Sequence, residues 1–191
     1  MTGATIVSEE RAWADTLRWL ERAVIGLNLC PFAKAVHVRH QIHHAVYLPQ
    51  QAEGLIDALL FEADALAANA PSARDTTLLI APNTLQDFLD FHDLTARAER
   101  RLARAGFEGM LQLAGFHPQF QFAGSAPDDI ANATNRAPYP TLHLLREESV
   151  SRAVEAFPQA EAIFERNIET LRQLGAAGWA TLGVGADQSE Q

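Results

Sequence analysis

TTLLIA, residues 76–81, is a continuous apolar run headed by Thr76 and Thr77 and closed by Pro82. A short β-branched run without polar alternation is the pattern of a central strand, covered on both faces. On either side the period changes. Upstream, Ile56, Leu59, Leu60, Ala63, Leu66 and Ala67 recur at steps of three and four, which marks a helix face. Pro49 is expected to open that helix, and Pro71 lies beyond its end. Gly54 inside it costs about 1 kcal/mol relative to alanine. Downstream, Thr84 with Asp87 suggests a capping box, Phe88, Phe91, Thr95, Ala98 and Leu102 an inner face, and Gly106 a C-terminal cap. Asp87, Asp90 and Asp93 lead this helix, while Arg97, Arg100, Arg101 and Arg104 close it. That order complements the helix dipole, so the arginines read as structural.

Further out, Ser8 with Glu9 and Glu10 starts a helix whose buried face is Trp13, Leu17, Leu20, Val24 and Leu27. Asn28 can take the left-handed conformation that ends it, and Pro31 forbids continuation. Val36, Val38, Ile42, Val46 and Leu48 share a parity, which suggests one long or two short strands with His40 and His44 on one face and His37 and His43 on the other. Residues 110–116 (MLQLAGF) and 141–145 (TLHLL) read as strands, and Glu147–Ala156 as a short helix. Pro158 is expected to start a last helix, with Ala160, Ile163, Phe164, Ile168, Leu171 and Leu174 inward and Gly175 as its stop. The expected architecture is a single layered α/β or α+β domain over residues 1–175, with about four or five strands and about five helices. The Gly- and Ala-rich residues 176–191 are expected to form a loose tail, apart from Trp179.

Between the last two strands lies a polar segment too long for an ordinary turn, and long connections in compact domains are usually functional. It carries His117, Asp128, Asp129, Asn132, Asn135, Arg136 and Tyr139 among prolines and glycines. Composition narrows the partners. The net charge is −9, which disfavours a phosphate backbone as partner because such binding needs Lys and Arg to neutralise it. One cysteine, Cys30, allows no internal disulfide, and the N-terminal residues show no secretory pattern; both favour a cytoplasmic protein. No apolar run is long enough to span a membrane.

His117 sits where a strand ends and His143 lies inside another, both bordering the long loop, where catalytic groups are commonly displayed. Asp128 and Asp129 are candidate general bases, or an Asx-type turn after Pro127. Asn132, Asn135 and Arg136 suit a substrate carboxylate or phosphate; alternatively Arg136 pairs with the loop's own aspartates. Cys30 is a candidate nucleophile activated by His117, or a small buried hydrophobe at the unfavourable negative end of a helix dipole. His117, His143 and Asp128 are weak metal candidates, since nothing in their spacing demands a metal.

The segments GLNLCPFAK (26–34), GFHP (115–118) and TNRAPYPTLHLLRE (134–147) together resemble a bacterial family catalogued as a domain of unknown function, number 1415. The resemblance covers roughly residues 13–175. It implies no activity or cofactor. It directs attention to Asn28, Cys30, Pro31, Phe32, His117, Pro118, Asp128, Asp129, Asn132, Asn135, Arg136, Tyr139, His143 and Arg146. The expected function is a small enzyme acting on an anionic metabolite, by acid–base or cysteine-dependent hydrolase or transferase chemistry. The alternative is a module that binds a metal, haem-like or nucleotide-like ligand without turnover.

Overall fold

The computed structural model describes residues 6–156 and 162–186. A four-stranded sheet in the order β1–β2–β4–β3 forms the middle of the domain. Its strands are β1 (Ile42–Val46), β2 (Thr76–Ile80), β3 (Leu111–Phe116) and β4 (Thr141–Arg146). β1 runs parallel to β2, while β4 is antiparallel to both β2 and β3. TTLLI is therefore an inner strand, and all its residues are buried. Of the two architectures expected, α/β or α+β, the mixed strand directions make this a single α+β domain.

The two faces of the sheet are covered differently. Leu79, Leu142, Leu144, Leu111 and Leu113 pack under α3 (Leu55–Ala68) and α4 (Phe88–Leu102), where Leu59, Leu66, Phe91, Leu94 and Leu102 complete the larger core. Alternation along the strands sends their other residues to the opposite face. There α1 (Glu9–Trp19) and its π-helical continuation Leu20–Ile25 supply Trp19, Leu20 and Val24 against Ile42 and Phe116. Trp13 of α1 stacks on His44, with ring centroids 3.7 Å apart.

Local chemistry fixes the helix ends. The Ser8 hydroxyl accepts the Arg11 amide, as expected of an N-cap. Asn28 ends the first helical run with φ 55, and Gly106 ends the turn after α4 with φ 92. Asp87, not Thr84, caps α4, since its carboxylate accepts the Leu89 and Asp90 amides and Thr84 is buried. The helix therefore starts one turn later than a Thr84–Asp87 box requires. Pro49 does not open α3 either. The chain turns through residues 50–53 first, so Gly54 stands at the cap, where its missing side chain costs less.

Two readings change more. Residues 36–48 are not one strand: α2 (Ala33–Val38) takes the first part, His40 turns the chain with φ 56, and only Ile42–Val46 is extended. Val36 and Val38 fit either period, and so short a run could not decide between them. His37 thus lies 3.3 Å from Glu21, and His43 lies 3.6 Å from Glu62 on α3. The start expected at Pro158 lies outside the described residues. Gly175 bends α6 (Ile163–Thr181) with φ 68 and ψ 171 but does not end it. Residues 176–186, expected to be loose, are held instead by apolar packing: Val184 is 4 % exposed and joins Trp19, Trp179 and Leu182. Among the described residues, no helix is long and apolar enough to cross a membrane.

Candidate functional site

The long loop, residues 117–140, folds around its own polar groups. His117 is 0 % exposed and packs beside Phe88 and Phe91 on the α4 side. The Gln119 amide can only donate, so its 3.0 Å contact makes His117 Nδ1 the acceptor. Nε2–H then donates to the Leu85 carbonyl at 2.9 Å. Both ring nitrogens are occupied, and burial holds the imidazole below its ordinary pKa. Asn132, also 0 % exposed, accepts from the Phe122 amide and the Ser125 hydroxyl and donates to Ala126 O. Arg136 donates to the carbonyls of Phe120 and Pro127. Asp129 caps the 3₁₀ turn Ile130–Asn135 through the Ala131 amide, and Arg172 approaches it at 3.7 Å. Asn135 accepts the His117 amide with its backbone carbonyl. Tyr139 donates to buried Asp15 at 2.6 Å, and burial and that carboxylate raise its pKa. Asp128 is exposed.

These groups satisfy buried backbone that a long connection would otherwise leave unpaired. The cluster expected of His117, Asp128, Asp129, Asn132, Asn135 and Arg136 does not converge on an opening. The expected contact of Cys30 with His117 is absent too, because His117 turns to the α4 side and spends both nitrogens on backbone. His117 and His143 serve opposite faces of the sheet. Among the described residues, no group of three or more His, Cys, Asp or Glu is placed to hold a metal.

A different opening lies on the α1 side of the sheet. It is a cleft of about 480 Å³. Its floor is Ile42, Leu78, Ala114, Phe116 and His143; Trp19, Leu20 and Val24 form one wall. The segment 30–36 forms a second wall, and Ser149, Val150 and Ala153 of α5 (Glu147–Ala156) a third. The cleft thus brings together Cys30 and His143, two of the residues singled out by sequence. Few polar groups reach it, which is the usual composition of a small-molecule site.

His143 has a definite proton arrangement. Thr76 Oγ1 lies 2.6 Å from both the Leu144 carbonyl and His143 Nε2. A carbonyl only accepts, so the single hydroxyl hydrogen goes to Leu144 O. His143 Nε2 must then carry the hydrogen it gives to Thr76. Nδ1 keeps its lone pair, and no described protein group bonds it. Desolvation lowers the His143 pKa to about 4, yet the ring is partly solvent-accessible. Both follow if it lies on the floor of a narrow cleft.

Cys30 corrects its expected electrostatics. It follows the end of the first helical run but also precedes α2, and its sulfur accepts the Phe32 and Ala33 amides. These bonds favour a thiolate, but burial outweighs them and pushes the thiol pKa up. Trp19, 2 % exposed, has the only buried side-chain nitrogen or oxygen without a partner among the described residues, its Nε1. At the α5 end, Ser149 donates to Asp75 at 2.6 Å, and Arg146 bonds the carbonyls of Leu66, Asn69 and Arg74.

Sequence reading missed Trp19, Thr76, Phe116 and the α5 wall. Thr76 meets His143 only through β2–β4 pairing between strands distant in the chain. The α5 wall had a faint signal in Ser149, Val150 and Ala153, which share one side of a helix. A family model described as "Protein of unknown function (DUF1415)" matches residues 11–181. No curated protein and no solved structure matches the chain.

Proposed function

The chain belongs to the DUF1415 family, whose description assigns no activity, and from the site itself we propose that it binds a small, largely apolar molecule in the cleft between α1, α5 and the sheet. The observation that carries this reading is neutral His143, with one nitrogen unengaged, on the floor of an otherwise apolar cleft. A volume of about 480 Å³ suits a metabolite-sized ligand. An anion at Arg136 finds less support, because that guanidinium already holds two loop carbonyls. The acidic composition argues against nucleic acid, and the single cysteine suits a cytoplasmic setting.

Binding without turnover is favoured over catalysis for a physical reason. A histidine at about pKa 4 is a weak general base at neutral pH, and burial pushes the Cys30 thiol up, away from the thiolate a nucleophile needs. The enzyme reading keeps one specific support: Cys30 and His143 line the same cleft.

Fragment titration followed by NMR tests the proposal, using toluene and indole on the full chain. Resonances of Trp19 and His143 should shift, and Ala114→Leu, which fills the floor, should abolish the shift. If neither fragment perturbs either residue, the cleft is not a ligand site. Incubation with metabolite pools separates the two readings: stabilisation without consumption supports a binding module, and consumption supports an enzyme.

A further inference from the structure

The proton arrangement at His143 restricts what the cleft accepts. Resting on the cleft being a ligand site, we infer that its ligand is a neutral aromatic molecule bearing a hydroxyl, which donates its O–H to His143 Nδ1. Thr76 ties the tautomer. Its hydrogen is committed to Leu144 O, so Nε2 must donate and Nδ1 must accept. Moving the histidine proton to Nδ1 would leave Nε2 and Thr76 Oγ1 at 2.6 Å competing for the one hydrogen that Leu144 O also needs. The floor is therefore an acceptor and selects a donor.

Charge decides the next point. The ionic groups lining the cleft are Asp75 and Arg146, both at the α5 end and 3.9 Å apart. Arg146 is further held by three carbonyls, and Asp75 by Ser149. Each is already the other's counter-ion, so the cleft lining offers no unpaired charge to a ligand ion. A carboxylate over the His143 lone pair would be repelled. An ammonium there would be desolvated without a counter-ion. A neutral hydroxyl meets neither cost.

Shape favours an aromatic body. Phe116 has its ring centroid 5.1 Å from Trp19 and 6.0 Å from His143, and Phe32 also lines the cleft. Flat ligands gain from offset or edge contacts with such rings.

The test compares phenol, anisole, toluene and benzoate by NMR titration of the full chain. Phenol should bind about tenfold more tightly than anisole, which has the same body without the donor, and benzoate should bind weakest. The ¹⁵N spectrum should show His143 protonated at Nε2, with Nδ1 moving on adding phenol but not anisole. His143→Leu, which has no acceptor, and Thr76→Val should each bring the affinities for phenol and anisole together. Equal affinities for phenol and anisole, tighter binding of benzoate, or a protonated Nδ1 would each overturn the inference and leave the cleft reading standing. Failure of all four probes to perturb Trp19 or His143 defeats the cleft reading itself.

Discussion

Replacing His143 by glutamine should change how stability responds to acid. Glutamine does not titrate, and its amide can still donate to Thr76. In the folded protein burial lowers the His143 pKa from 6.5 to about 4. At pH 7.5 the ring is neutral folded and unfolded, so its titration contributes nothing. As pH falls below 6.5 the unfolded chain takes up a proton that the folded protein refuses until about pH 4. Stability is therefore lost across that window, and the loss is complete below it. At pH 4.5 the difference amounts to about 2–2.5 kcal/mol, the lower figure allowing for solvent that reaches the ring through the cleft. The assay is urea unfolding of both proteins at pH 7.5 and pH 4.5. The carboxylates and the other depressed histidines, His43, His44 and His117, titrate in both proteins and cancel in the comparison. Wild type should lose about 2 kcal/mol more than His143→Gln between the two pH values. Equal losses would show that burial does not hold the His143 pKa below its ordinary value, and the desolvated cleft floor would lose its support.

Other consequences concern the loop and the α3 side of the sheet. Asn132→Ala removes three hydrogen bonds made by a fully buried side chain to partly buried partners. It should cost about 2–4 kcal/mol and open residues 117–140 to limited proteolysis; a wild-type unfolding midpoint would refute the stapling role. Glu62→Gln weakens the charge opposite nearly buried Arg74, which bonds Glu62 at 2.5 Å and Thr77 at 2.9 Å. Its cost, measured in urea, should exceed 1 kcal/mol and approach the roughly 3–5 kcal/mol typical of broken buried pairs. An effect below about 0.5 kcal/mol would place this pair with surface ion pairs instead.

Much of the fold is legible in single segments. TTLLIA reads as a buried strand because nothing polar interrupts it, and it is an inner strand of the sheet. The long helices α3 and α4 read correctly because apolar stripes repeat over several turns, whereas on α6 Phe164, expected to face inward, is 51 % exposed. Ser8, Asn28 and Gly106 behave as caps because capping depends on one residue and its neighbours. Reading fails where the deciding contact is distant or the run is short. Val36 and Val38 alternate like a strand yet lie on a one-and-a-half-turn helix. Gly175 bends a helix that resumes because Trp179 and Val184 find a core to join.

The site divides in the same way. The sequence by itself determined that the chain forms one layered domain of helices and strands, and it singled out Cys30 and His143 among the residues able to do chemistry. It also marked the loop after His117 as unusual, but a polar side chain looks the same whether it awaits a ligand or satisfies a carbonyl. Only the tertiary structure decided that Asn132, Arg136 and His117 are spent on backbone while His143 Nδ1 is not. The reason is that hydrogen-bond satisfaction is a property of a place. Thr76 reaches His143 through antiparallel pairing of β2 with β4, and no local pattern encodes which strand stands beside which.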